Sequence, residues 1–68
     1  MQNESAKLGI NLKRIRTKKG ISQGDIGREL KVSRGFISTI ENGKTNPTLD
    51  TIAKIAKAIG VSVGELMK

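Results

Sequence analysis

The chain has 68 residues, and its 13 Lys plus Arg against 6 Asp plus Glu give a net charge of +7 and a pI near 10.3. One domain of this size buries only about 60% of its unfolded surface, and its basic balance favours a polyanionic partner. The chain has no cysteine, so no disulfide or thiolate metal site is possible, and it has no histidine either. We expect neither a metal nor a cofactor. The chain also lacks an apolar run of the ~18 residues that span a membrane, and MQNESAK has no signal-peptide core, which predicts a cytoplasmic protein.

The first predicted helix spans about Ser5–Lys19 and follows a flexible polar tail, Met1–Glu4. Its apolar residues recur at helical spacing and form one stripe, at Leu8, Leu12 and Ile15. Ile10 falls on the opposite side, where it has no core to enter. Gly20 is expected to end the helix in a left-handed conformation.

Two short amphipathic helices are predicted next, over about Gln23–Leu30 and Arg34–Asn42. Ser22 and Ser33 can each cap the free N–H groups of the following turn. Gly27 has no Cβ and therefore lets two helices cross closely at a steep angle. This arrangement predicts a helix-turn-helix, whose second helix has a polar outer face suited to reading base edges in a DNA major groove.

The fourth helix is capped by Thr48 and ends at Gly60, with Asp50 and Lys54 as a favourable pair on its outside. Its residues expected to face the core are Leu49, Ile52, Ile55, Ala56 and Ile59. Ser62-Val63-Gly64-Glu65 has the spacing of a capping box and opens a short fifth helix. The predicted fold is all-α, a compact five-helix bundle in which residues 5–68 form one domain.

Several short motifs occur in order along nearly the whole chain, from Leu8 to Met67. They are Leu8-Gly9, Leu12, Ile15-Arg16, Lys19-Gly20-Ile21-Ser22-Gln23, Ile37, Ile40-Glu41-Asn42-Gly43-Lys44, Asn46-Pro47 and Ala58-Ile59-Gly60-Val61-Ser62. In this order and spacing the chain resembles the helix-turn-helix family of phage repressors, Cro proteins and their bacterial relatives, the XRE-type regulators. The resemblance implies a lambda-repressor-like DNA-binding domain.

The third helix carries the candidate base-reading residues, which are Ser33, Arg34, Gly35, Ser38 and Thr39. Arg34 is the main candidate for specificity because a guanidinium can bond guanine O6 and N7 together. Its alternative role is a phosphate contact. Phe36, the only aromatic residue, fits partial packing over the corner of the two helices better than base contact.

Backbone contacts are expected on either side of the third helix. The resemblance implies that Gln23, at the start of the second helix, contacts a phosphate, where the helix dipole also favours an anion. The alternative is a solvated surface Gln. The residues after the third helix are expected to anchor the DNA backbone, at Asn42, Lys44, Thr45 and Asn46.

The resemblance also implies a structural ion pair between Arg16 and Glu41, linking the first helix to the end of the third. Glu41 lies one residue beyond Ile40, too close to the core for a lone carboxylate. Family members commonly have Gly where this chain has Lys31. If that position is left-handed, Lys31 carries a strain of roughly 1 kcal/mol.

A homodimer on a paired operator is expected, because the fifth helix is too short to bury its apolar residues on its own bundle. The candidate interface residues are Val61, Val63, Leu66 and Met67. The alternative is that all four are core residues. For Val61 and Leu66 the core role fits as well as the interface role, and for Val63 and Met67 it fits less well. The predicted function is a sequence-specific DNA-binding transcriptional regulator, with repression favoured because occupying a promoter needs no second surface.

Two other function classes compete with this prediction. Ser38 to Thr45 reads S-x-x-x-x-G-K-T, close to a phosphate-binding P-loop, but the first Gly and a preceding strand are missing, so no enzyme is expected. The second alternative is a protein-interaction module, such as an antitoxin, that uses the same fold to hold a protein partner. Exposed apolar residues leave room for such a partner at Ile10, Val63 and Met67.

Overall fold

The computed structural model describes residues 3–68, and these contain five α-helices and no strand. The helices are α1 (Glu4–Lys18), α2 (Gln23–Leu30), α3 (Arg34–Glu41), α4 (Leu49–Ile59) and α5 (Val63–Leu66). Helix α1 begins one residue earlier than predicted because Asn3 caps it, its Oδ1 accepting from the Ala6 N–H at 2.7 Å. Of the expected flexible tail, Asn3 and Glu4 form the cap and the first residue of α1, and Met1 and Gln2 lie outside the described residues.

The five helices pack in a closed ring, in which each helix has two main neighbours. Both α1 and α2 pack on α3, α4 packs on α2, and α5 bridges α1 and α4. The core takes apolar residues from all five helices, at Leu8, Leu12, Ile15, Ile26, Ile37, Ile40, Ile52, Ile55, Ala56, Ile59 and Leu66. The all-α five-helix architecture is thus the predicted one.

The prediction that Leu49 faces the core is wrong, because its side chain is 71% exposed. Leu49 lies three residues before the buried Ile52 and so has the right helical period. Periodicity fixes only the face of a helix, however, and at the first turn of α4 no other helix covers that face. Ile10, predicted to point away from the core, is 58% exposed.

The corners before α2, α3 and α5 are built in the same way. Each has a residue in the left-handed region, with φ between 61° and 74°, at Gly20, Lys31 and Gly60. The next residue is apolar and its N–H bonds to the carbonyl five residues back, in the pairs Ile21–Arg16, Val32–Gly27 and Val61–Ala56. These bonds satisfy carbonyls that the helix end would otherwise leave unpaired.

A serine follows in each corner and caps the next helix, at Ser22, Ser33 and Ser62. Four residues beyond each serine comes a fully or almost fully buried apolar residue, at Ile26, Ile37 and Leu66. The printed sequence contains this pattern three times, as GISQGDI, KVSRGFI and GVSVGEL. The same local sequence pattern therefore forms three of the four helix connections.

Gly27 makes the corner between α2 and α3 close tightly, as predicted. A Cβ at this position would lie 2.8 Å from the carbonyl oxygen of Val32 and 3.4 Å from the N atom of Arg34. Real Cβ atoms do not approach a backbone oxygen so closely, so any larger residue must move α3 relative to α2. The orientation of α3 thus depends on this glycine.

Candidate nucleic-acid interface

Helix α3 has two sharply different faces. Ile37 and Ile40 are completely buried and hold the helix on the core. Of the candidate base-reading residues, Arg34, Gly35, Ser38 and Thr39 lie on the accessible side of α3, the first two exposed and the last two half-buried. Ser33 is exposed at the N-terminal end of the helix, where it is the cap.

The polar groups of this face differ in how free they are. The Ser33 hydroxyl oxygen caps α3 by accepting from the Phe36 N–H at 3.0 Å. The Thr39 hydroxyl donates to the carbonyl oxygen of Gly35 at 2.9 Å. Arg34 is exposed, and within residues 3–68 its guanidinium has neither a hydrogen-bond nor an ion-pair partner. Arg34 is thus the long side chain of this face that can reach a base edge without first breaking a contact.

Phe36 is half-buried and packs against the apolar core. This matches the structural role predicted for it. Its ring buries apolar surface against the core and so stabilises the fold.

The predicted ion pair between Arg16 and Glu41 is present and joins α1 to the end of α3. The guanidinium contacts both carboxylate oxygens, with Nη2 to Oε1 at 2.9 Å and Nε to Oε2 as the second contact. Arg16 Nη1 also donates to the carbonyl oxygen of Ile21 at 3.2 Å. The Glu41 side chain is only 3% exposed, so its charge depends on this partner.

The electrostatics of this pair follow from its geometry. Burial by itself raises the pKa of Glu41, but hydrogen bonds from Arg16 and Gln23 and the nearby positive charges outweigh it and leave that pKa below its usual value. The hydrogen bond to Glu41 raises the pKa of Arg16 above its usual value. Both groups are therefore charged across the neutral range.

Gly9 explains why α1 can reach the end of α3. A Cβ on Gly9 would lie 2.5 Å from the carbonyl oxygen of Glu41 and 2.6 Å from that of Ile40. The two backbones touch here, which brings Arg16 on α1 within hydrogen-bond distance of Glu41. In the sequence, Gly9 was noted only as part of the Leu8-Gly9 motif, and its close contact with the end of α3 was not predicted.

Gln23 has a partner that was not predicted. Its Nε2 donates to Glu41 Oε1 at 2.9 Å, so this residue is part of a buried network rather than a solvated surface group. Gln23 also borders an open groove between α1, α2 and the start of α3. The other residues that line this groove are Lys13, Arg16, Ser22, Gly24, Arg28, Val32 and Arg34.

The loop after α3 is attached to the start of α1. Asn46 accepts a hydrogen bond from the Ser5 hydroxyl. Gly43 has φ of +69°, and a Cβ there would lie 3.2 Å from the Cα of Ala6. The remaining candidates of this loop lie at its surface, with Asn42 and Lys44 exposed and Thr45 half-buried.

Leu66 had two predicted roles, in the interface or in the core, and the first is wrong because its side chain is completely buried. It fills the core below α5, whereas Val61, Val63 and Met67 are half-buried and pack at the edge of the core. Of the four residues of α5, Leu66 alone is buried. Of the four interface candidates, only Val61, Val63 and Met67 can contribute surface to a contact with a second molecule.

Asn11 holds α5 in place and was not predicted. Its side chain is 9% exposed, and its Nδ2 donates to the carbonyl oxygens of Leu66 at 2.7 Å and Lys68 at 3.4 Å. The signal in the sequence is its position, three residues after Leu8 and four before Ile15, on the apolar stripe of α1. A polar residue there needs a buried partner, but the sequence does not say which one.

The structure does not support a P-loop at Ser38–Thr45. Gly43 ends α3 there rather than opening a helix, and residues 3–68 contain no strand to precede the loop. The same residues contain no cluster of three metal-ligating side chains. No helix among them combines the length and apolar character needed to cross a bilayer.

Comparison with known proteins agrees with the geometry. The sequence profile of the Helix-turn-helix family matches residues 12–66. The chain is 37% identical over 60 residues to the HTH-type transcriptional regulator y4dJ of Sinorhizobium fredii, covering 88% of this chain and 78% of that protein. It is 40% identical over 60 residues to Control protein C.BamHI of Bacillus amyloliquefaciens, covering 87% and 74%.

A solved structure gives the same result for the fold. The crystal structure of the hypothetical transcription factor NHTF from Neisseria superposes with a TM-score of 0.90 at 33% identity, over 98% of this chain and 77% of that one. Against the full length of the Neisseria protein, this chain spans 62%.

Proposed function

This chain belongs to the helix-turn-helix family of transcriptional regulators, and from that premise we propose that it binds a specific DNA operator with α3 in the major groove. Two of the relatives described above are named as a transcriptional regulator and a transcription factor, which supports a role in the regulation of transcription. The finer assignments of groove, contacts, symmetry and regulatory sign are our proposal.

The observation that carries this proposal is the two-faced character of α3. Ile37 and Ile40 fix the helix on the core, and the accessible surface of α3 and its N-cap presents Ser33, Arg34, Gly35, Ser38 and Thr39. An α-helix with small polar residues and one free guanidinium fits the width and the donor and acceptor pattern of the major groove. We assign the main base contact to Arg34, to guanine O6 and N7.

Phosphate contacts on both sides of α3 would orient the helix in the groove. We assign them to Gln23, Asn42, Lys44, Thr45 and Asn46. Asn46 accepts from Ser5 and still has its amide N–H groups to donate to a phosphate. With roughly 4–6 phosphates neutralised per protomer, log K should fall with log salt at a slope of about −4 to −5.

We further propose that two copies bind a paired operator through the surface around α5. Val61, Val63 and Met67 lie only half-buried at the edge of the core, and a second copy would cover them. Two-fold symmetry would then place the half-sites about one helical turn, ~34 Å, apart. Sedimentation of the free and DNA-bound protein tests this point, and a monomer in both states contradicts it.

Repression is the regulatory sign that we propose, because occupying a promoter needs no surface beyond the DNA-binding one. We place this regulator in the cytoplasm and propose that it acts by binding DNA, without catalysis. The antitoxin alternative gains no support from the relatives described above, which are named as transcription factors, regulators and a control protein. We therefore do not adopt it.

The decisive experiment is selection of bound duplexes from a random DNA pool, followed by affinity measurements on single-base variants of the consensus. Arg34→Ala should weaken binding to the consensus by about 1–3 kcal/mol and relax the preference at one base pair of each half-site. Lys44→Ala is the matched control. It should weaken all sequences about equally and lower the salt slope by roughly one unit. Equal weakening of every sequence by Arg34→Ala would make Arg34 a backbone contact only.

A further inference from the structure

We propose that Glu41 is a positioning residue for DNA recognition, because it fixes the side-chain amide of Gln23 in the orientation that donates to a phosphate. This inference rests on the proposed function, and in particular on the phosphate contact assigned to Gln23. It gives Glu41 a role in affinity that is separate from the ion pair with Arg16.

The first argument is the hydrogen bond between the two side chains. Gln23 Nε2 lies 2.9 Å from Glu41 Oε1, and the Glu41 side chain is 3% exposed. An ionised carboxylate accepts hydrogen bonds and donates none, so only the NH₂ end of the amide can face it. The contact therefore settles which end of the Gln23 amide points towards α3.

The second argument concerns the N–H group of Gln23 that this orientation leaves without a partner. The Nε2 group has two N–H bonds, and Glu41 takes one of them. The other remains for an acceptor beside Gln23, which borders the groove lined by Lys13, Arg28 and Arg34. A phosphate oxygen is such an acceptor. The reversed amide would present its carbonyl oxygen, which a phosphate cannot satisfy.

The third argument is charge. A free carboxylate beside a phosphate would repel it, but Arg16 binds both oxygens of Glu41 and neutralises the pair. The guanidinium also prevents the carboxylate from rotating away. Glu41 thus orients the amide without adding net negative charge to the surface, and it removes rotamer freedom that Gln23 would otherwise lose on binding.

The test uses the duplex that the wild-type protein selects, with single phosphates replaced one at a time by uncharged methylphosphonate. Loss of a hydrogen bond to a charged acceptor should weaken wild-type binding about ten-fold at the phosphate that Gln23 contacts. Gln23→Ala identifies this position, because replacement there should then change affinity less than about two-fold. Glu41→Gln should lose sensitivity at the same phosphate and keep it at the phosphate read by Lys44.

Asp50→Asn is the matched control, since it also neutralises one carboxylate but lies exposed on α4, 3.2 Å from Lys54. Asp50→Asn should keep the wild-type loss of affinity at each methylphosphonate position. Folded Glu41→Gln with undiminished sensitivity at the Gln23 phosphate overturns the positioning role alone. If no phosphate loses its effect in Gln23→Ala, then Gln23 contacts no phosphate, and the premise of the positioning role is overturned. If the wild-type protein selects no duplex at all, the proposed function is overturned.

Hydrogen exchange in the wild-type protein tests the contact without a variant that must fold. In the DNA-free protein, the Nε2 hydrogen of Gln23 that is bonded to Glu41 should exchange at least several-fold more slowly than the side-chain amide hydrogens of Asn42, which is exposed. Equal exchange rates would show that Glu41 does not hold the amide, and would overturn the inference.

Discussion

The corner before α3 and the corner before α5 have the same local design but different anchors. Both place a left-handed residue, a valine and a capping serine in succession, and both bury an apolar residue four positions after the serine. The far end of α3 is held by the charged pair of Glu41 with Arg16, whereas α5 is held by a neutral amide, Asn11. Local sequence makes a corner, and the long-range partner decides how firmly the following helix is fixed.

The anchor of α3 should be the stronger of the two. Glu41→Ala leaves Arg16 without its carboxylate in a largely buried site, and we expect a loss of about 3–5 kcal/mol in the free energy of unfolding. The measurement is urea denaturation of Glu41→Ala, Arg16→Ala and the double variant. Strictly additive losses would show that the two residues are not coupled.

A second prediction concerns how tightly each corner closes. Four residues before the left-handed position, the α3 corner has Gly27 and the α5 corner has Ala56, so only the second accommodates a Cβ. Gly27→Ala forces a contact of 2.8 Å with the carbonyl oxygen of Val32. We expect a loss of about 1–3 kcal/mol in stability, as for other overpacked sites. The variant should also bind DNA more weakly because α3 tilts; unchanged stability would contradict the close crossing.

The anchor of α5 should be weaker and local. Asn11→Ala leaves the buried carbonyl oxygen of Leu66 without its side-chain donor, which should cost about 1–3 kcal/mol. Amide hydrogen exchange should accelerate in residues 63–67 and remain unchanged in α3. Equal acceleration in both helices would show that the two anchors are not independent.

The two anchors should also differ in their response to pH. The pKa of Glu41 is lowered in the folded protein, so its contribution is complete above the unfolded value of about 4.3 and is lost as the pH falls towards the folded value. Wild-type stability should therefore fall more steeply than that of Glu41→Gln between about pH 5 and pH 3. Asn11→Ala should keep the wild-type slope, since the amide does not titrate. Parallel curves for wild type and Glu41→Gln would contradict the lowered pKa.

The smallest effect is expected at the left-handed position itself. Lys31 has φ of 61° where the other two corners have glycine, as the comparison with the family anticipated. Lys31→Gly should relieve this strain and stabilise the protein by about 1 kcal/mol, while Gly60→Ala should introduce it and cost about the same. Thermal unfolding of both variants measures the difference. A destabilised Lys31→Gly would show that the lysine side chain outweighs its backbone strain.

The sequence by itself determined the helices, their caps and the polar face of α3. These features depend on neighbouring residues: Ser22, Ser33, Thr48 and Ser62 cap the helix that each one precedes, and helical spacing places Gly35, Ser38 and Thr39 on the side of α3 away from Ile37 and Ile40. Family resemblance supplied the pair of Arg16 with Glu41, which spacing alone does not reveal.

Only the tertiary structure decided which long-range contacts these elements make. Leu49 and Leu66 are both apolar residues at helical spacing, yet one is 71% exposed and the other is buried. Asn11 meets the carbonyl oxygen of Leu66, 55 positions away, and Gln23 meets Glu41, 18 positions away. Burial and side-chain partners depend on where other helices end in space, and helical periodicity fixes only the direction in which a side chain leaves its own helix.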